Sequence, residues 1–228
     1  MIILKNDLKS IIKKYLLENV DIADIPTGEK EEQSAGEKEA NVENPEIAKA
    51  LGKKSKPPEF KRIFGPIMQK VTKGTPILPS VKLAQMALET GWGKHTIGNA
   101  NNLFGIKASG NTNKYWDGSA VIAGTEEVVD NVRGKYKKAF RKYKSYKDSL
   151  EDHNNLLMTL PRYKAVRDAK TPEEQAHALK KGGYATGPRY AEVLISIIKD
   201  YGFKDLDPVT APYTGTDKTD IESELTTV

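Results

Sequence analysis

Cysteine is absent from the chain, which excludes disulfides and thiolate-held metal and leaves the redox compartment undetermined. Histidine is scarce. His95, His153 and His177 are scattered, with no close pair at metal-ligand spacing, which argues against a zinc hydrolase. No metal and no cofactor is expected. No stretch approaches the ~18 consecutive apolar residues of a membrane span. The opening MIILKNDLKSIIKKYLLEN does not read as a secretory signal, because Lys5, Asp7, Lys9, Lys13 and Lys14 break its apolar residues and no small-residue cleavage site follows. A role outside the cytoplasm would then need another route of delivery.

What is there is a chain of 228 residues, 38% hydrophobic, long enough for one core of ordinary size plus tails. Its net charge of +5 is unevenly spread. Residues 21–50 hold nine Asp and Glu against three Lys, whereas residues 51–203 hold 27 Lys and Arg against 14 Asp and Glu. A basic body fits a polyanionic partner, nucleic acid or anionic cell wall, and equally a plain solvated surface. No recognisable nucleic-acid fold motif accompanies the charge, and charge alone does not specify one.

Ile3, Leu4, Leu8, Ile11, Ile12, Tyr15 and Leu16 fall at helical spacing, so residues 1–20 read as an amphipathic helix that docks on its own body, a copy of itself or another protein. Residues 21–58 read as an acidic linker with almost nothing to bury, closed by Pro57-Pro58. The apolar pattern returns at Phe60. Phe60, Ile63, Phe64, Ile67 and Val71 predict a first helix with Pro66 inside it. Ser80 is a candidate N-cap for a second helix, VKLAQMALET, and Gly91 stands where a C-cap glycine belongs. Residues 114–144 predict a small irregular β-lobe. Helices follow over 147–158, 172–181 and 188–201, and 206–228 read as a tail. The fold class expected is mainly α, with a body over 59–205.

The strongest local pattern is LAQMALETGWGKH at 83–95. Glu89 falls in the last turn of the second helix, where outward-pointing carbonyls disfavour negative charge. An apolar neighbour such as Trp92 would add a desolvation cost. Both effects raise a carboxyl pKa, and a proton held near neutral pH is what a glycosidase acid needs. From these residues alone, a solvated glutamate at a helix end fits as well.

ALETGWGKH, followed by NNLFGIK at 101–107, resembles the signature of the cell-wall glucosaminidases of glycoside hydrolase family 73, which includes the muramidase half of the flagellar rod protein, bacterial autolysins and phage lysins. The likeness continues through TEEV at 125–128, FRKYKSYKDSLEDH at 140–153, PRY at 161–163 and GYATGPRYA at 183–191, and so covers roughly residues 60–203. It implies a lysozyme-like α+β domain with a small β-lobe. It also implies cleavage of the glycan between N-acetylglucosamine and N-acetylmuramic acid, on the reducing side of glucosamine.

Glu89 matches the family's catalytic acid. The second carboxylate of its Thr-x-Glu pattern matches Glu127, with Glu126 the adjacent competitor; on a strand the two face opposite sides. Tyr184 matches a tyrosine near the acid that positions sugar or water. Gly187 departs from the aspartate frequent in the family at that place, which bears on the local turn more than on catalysis. Asn101 and Asn102 read as structural, with sugar contact from Asn102 or Phe104 left open. Trp92 is either core packing or a sugar platform, with packing preferred. Trp116 is the better platform candidate. Tyr190 is expected to pack between helices, and His95 and His153 to be structural or at the surface.

Rivals within the same polymer are a muramidase and a lytic transglycosylase. From another class comes a wall-binding structural component. A hydrolase without a secretory signal, carried on a linker behind a docking helix, fits a phage virion or tail lysin. Its expected partners are peptidoglycan strands and, through the N-terminal helix, other particle proteins.

Overall fold

The computed structural model describes residues 50–52, 55–129 and 132–208. The helix expected over 1–20, the linker up to residue 49 and the tail from residue 209 lie outside them.

Helix α1, Pro57–Thr72, starts on two prolines, whose missing N–H groups cost nothing in a first turn. It buries Phe60, Phe64, Met68 and Thr72, one stripe at four-residue spacing, and runs on through Pro66. Helix α2, Pro79–Glu89, is buried from Pro79 to Leu88, so it is the central strut of the body. Its first turn corrects the reading of Ser80 as N-cap. Leu78 stands at the cap with no side-chain bond. The Ser80 N–H (2.9 Å) and hydroxyl (2.7 Å) are both taken by the Asp207 carboxylate, from the far end of the chain. A carboxylate there satisfies a free N–H and the helix dipole together.

After residues 106–119 comes a hairpin of strand β1, Ala120–Val129, and strand β2, Val132–Arg141. They pair antiparallel from Ala120↔Arg141 to Val129↔Val132. The expected irregular lobe is thus a long regular ribbon on an irregular base. Residues 106–108 join β2 on its other edge through Arg141 N–H to Ile106 O (2.9 Å) and Ala108 N–H to Ala139 O (2.8 Å).

Helix α3, Tyr146–Thr159, begins in a capping box of Ser145 and Asp148. A short 3₁₀ turn, Pro161–Tyr163, leads into helix α4, Lys164–Asp168. Helix α5, Pro172–Lys181, begins in a second capping box of Thr171 and Glu174, and helix α6, Tyr190–Asp200, packs against it. These match three of the expected helices to within about two residues, and the overall architecture is the mainly helical, small-lobed one expected. Helix α4 was not foreseen; five residues are too few for a periodic stripe.

Residues on either side of 59–205 also pack against the body. Ala50, Leu51 and Ser55 are buried, and the N–H groups of Gly52 and Ser55 donate to Gly93 O and Trp92 O. At the other end, Asp207 holds α2.

Candidate active site

The segment that places Glu89 is a helix stop. Gly91 N–H donates to Leu88 O and Trp92 N–H to Ala87 O, the paired bonds of a Schellman motif, with Gly91 at φ +54°. Trp92 follows at φ +64°, a region costly for a bulky residue. Packing holds it there: its ring is 4% exposed and lies edge-on to Phe60 (5.5 Å) and Tyr201 (4.8 Å). The Thr90 hydroxyl ties the bend by donating to Met86 O and accepting from Gly93 N–H. One turn thus drives Trp92 inward and leaves Glu89 facing out. Trp92 is therefore part of the core and offers no face to a sugar.

The Glu89 side chain is exposed, yet burial among protein atoms pushes its carboxyl from 4.5 up to about 7. Water reaches part of the side chain, while protein atoms crowd the carboxyl and take the place of bulk solvent around it. That water screens part of the cost, so the upward direction is what the chemistry rests on. Among the described residues no hydrogen bond or ion pair engages the carboxylate. Gly105, at φ +60°, comes close enough that a Cβ there would lie 3.4 Å from Glu89 Oε2.

The turn bearing Gly105 is built by Asn102. Its amide donates to Ile106 O and Arg141 O (both 2.9 Å), and its Oδ1 accepts from the N–H of Phe104 and of Ile106. Buried and with both amide protons spent, Asn102 has nothing left for a sugar; it is structural. The Phe104 ring is also buried, stacked on His153 at 3.9 Å. What Phe104 presents is its carbonyl, which accepts from the Tyr184 hydroxyl (3.2 Å). Tyr184 stacks on Tyr190, and burial first, then neighbouring groups including Glu89, push its hydroxyl well above the usual tyrosine range. The hydroxyl therefore keeps its proton. Tyr190 packs between the helices, as expected.

Trp116 is also corrected. Its ring is 5% exposed, its indole N–H donates to Ser119 O (2.6 Å), and the Arg141 guanidinium covers a face at 4.0 Å. No open face remains for a sugar to stack on. Arg141 belongs to an anchor the sequence did not reveal. Buried Asp152 on α3 accepts from Arg141 Nη1, Tyr143 Oη and Asn113 Nδ2, each at 2.7 Å. The base of the ribbon is thereby bolted to the helical body.

Glu126 and Glu127 both lie on β1, opposite Lys135 and Gly134. Nearer the base of the ribbon, Phe140 is buried and Ile122 is 70% exposed. Among the described residues no group of three His, Asp or Glu could hold a metal ion, and no helix is long and apolar enough to cross a membrane.

Residues 65–203 match the protein family described as Glucosaminidase, mannosyl-glycoprotein endo-beta-N-acetylglucosaminidase. Among curated proteins, the peptidoglycan hydrolase FlgJ of Vibrio parahaemolyticus is 38% identical over 146 residues, 62% of this chain and 46% of that protein. The exo-glucosaminidase LytG of Bacillus subtilis is 35% identical over 139 residues, 58% of this chain and 47% of that protein. The chain spans about half the length of each. A mutant peptidoglycan hydrolase from Sphingomonas sp. A1 superposes with a TM-score of 0.58 at 34% identity, covering 65% of this chain and 97% of that one.

Proposed function

The chain belongs to the glucosaminidase family, and from that premise we propose that it is a peptidoglycan hydrolase, an endo-β-N-acetylglucosaminidase that cuts the bond from N-acetylglucosamine to N-acetylmuramic acid. Glu89 carries the reading: it is reachable from solvent, free of partners among the described residues, and held protonated by burial near neutral pH. In the reaction it gives its proton to the glycosidic oxygen as the C1–O bond of glucosamine breaks, and muramic acid leaves as the alcohol. Water then adds to C1 and loses a proton. Glu127, which matches the Thr-x-Glu pattern, is our choice for the group that receives that proton or stabilises the cationic sugar. The Tyr184 hydroxyl, protonated and beside Glu89, orients the sugar or the water.

The test is to digest purified peptidoglycan with the protein and with Glu89→Gln, reduce the products, and identify the new ends by mass spectrometry. Reduced glucosamine ends that vanish with Glu89→Gln support the proposal. Reduced muramic acid or anhydro-muramic ends replace it with a muramidase or a transglycosylase. Release of disaccharides alone marks exo-cleavage, the activity that LytG's name carries.

The division of labour along the chain is part of the same proposal. The apolar stripe within residues 1–20 and the acidic stretch after it deliver the hydrolase, as part of a particle such as a phage tail, and the body from residue 50 does the chemistry. Deleting residues 1–49 should leave hydrolysis of purified wall within about twofold. Deleting 1–58 removes the residues that dock on Gly93 and Trp92 and should lower stability by about 1–3 kcal/mol. Equal melting temperatures for the two truncations would contradict that boundary.

A further inference from the structure

Lys82 is fully buried in the middle of α2, a rare place for a lysine. Its Nζ lies within hydrogen-bond distance of Leu150 O (3.0 Å), His153 Nδ1 (2.8 Å) and Asn154 Oδ1 (2.9 Å), and burial pushes its pKa well below the usual lysine range. An apolar side chain of equal length would fill the same space without the cost of burying a polar group. The contribution of the lysine is therefore directional.

What it directs lies one layer toward Glu89. The bond to Nδ1 fixes the plane of the His153 ring, which stacks on Phe104 with 13° between planes and stands edge-on to Tyr184 at 5.6 Å. Lys82 Nζ itself sits 4.7 Å from the Phe104 ring centre. Phe104 then offers its carbonyl to the Tyr184 hydroxyl, and its neighbour Gly105 lies against Glu89. Lys82 and Glu89 are seven residues, about two turns, apart on one helix.

We propose that Lys82 is a positioning residue: through His153 and Phe104 its buried amino group sets the Tyr184 hydroxyl against Glu89, so that both groups are referenced to helix α2. The proposal rests on the role given to Tyr184 above. It explains why His153, expected as a structural or surface residue, lies in the core between a lysine and two aromatic rings.

The test compares Lys82→Met, the double variant Lys82→Met/His153→Phe, and Tyr184→Phe, each in the full chain, by melting temperature and by kcat and KM on soluble glycan fragments. Lys82→Met takes the hydrogen-bond partner from Leu150 O, His153 Nδ1 and Asn154 Oδ1 and should melt several degrees lower. The double variant removes the imidazole and keeps a ring on Phe104, and so should regain part of that loss. Both should lose roughly 10-fold in kcat while KM stays within about twofold, because the hydroxyl is misplaced while the binding surface is kept. A double variant whose kcat returns with its melting temperature would overturn the proposal, reducing Lys82 to packing. So would failure of both variants to fold, since Lys82 would then hold the core and not the site. Tyr184→Phe at the wild-type rate would refute the hydroxyl's role itself. A slow Tyr184→Phe beside a fast double variant refutes Lys82 alone.

Discussion

The elbow after α2 and the β-ribbon offer the two carboxylates of the proposed site, and they are built in opposite ways. The elbow is fixed by packing: Trp92, at a backbone angle it would not choose alone, is wedged against Phe60, Tyr201 and Phe203, and the Schellman bonds close around it. Two ten-residue strands form the ribbon, joined to the body at their base by Asp152 and by residues 106–108. A two-stranded ribbon is marginal without such support. Helix α2 thus gives Glu89 the rigidity of the core, whereas β1 and β2 depend on the attachments at their base.

Substitutions can break that contrast, and the largest effect belongs to the elbow. Glu89→Gln should lower kcat by about 10³-fold with the fold intact, measured on purified peptidoglycan. It also carries a stability signature. The Glu89 pKa is raised in the folded state, so the stability this residue contributes is present below about pH 4.5 and lost as pH rises through about 7. Glutamine mimics the protonated acid, so Glu89→Gln should melt with the wild type at pH 4 and above it at pH 8. The reverse order would show that burial does not raise the pKa.

Next comes the anchor. Asp152→Ala removes the shared acceptor of Arg141, Tyr143 and Asn113 and leaves a buried guanidinium unpaired. The cost should be about 3–5 kcal/mol by denaturant unfolding. Within the ribbon, Glu127→Gln should cost about 10²-fold in kcat and Glu126→Gln less than about twofold; equal losses would reject the choice of Glu127 over Glu126. Smallest in its effect on turnover is Trp116→Phe, which gives up the bond to Ser119 O. It should destabilise by about 1–2 kcal/mol and leave KM unchanged, whereas a large rise in KM would restore the sugar platform.

The elements that sequence reading recovered are those whose cause is local. Stripes at helical spacing mark α1, α2, α3, α5 and α6, and the glycine at 91 marks the stop that exposes Glu89. What it missed is set by residues far apart in the chain. Asp207 does the work expected of Ser80 from 127 residues away. Trp116 and Phe104 look like sugar-binding aromatics until Arg141 and His153 are seen covering them. Lys82 passes for a surface charge, although it shares a helical stripe with Met86 and Glu89, and Met86 is buried. Aromatic and charged side chains reveal their type in a sequence but not their exposure, and exposure decided the readings of Trp116, Phe104 and Lys82.

The central claim is that burial keeps Glu89 protonated near neutral pH while part of its side chain stays open to solvent. The most direct test follows the carboxyl carbon of Glu89 by NMR as pH is varied, with Glu89→Gln identifying the resonance. A midpoint near 7 is predicted. A midpoint at the ordinary 4.5 would leave Glu89 ionised at working pH and contradict its role as proton donor.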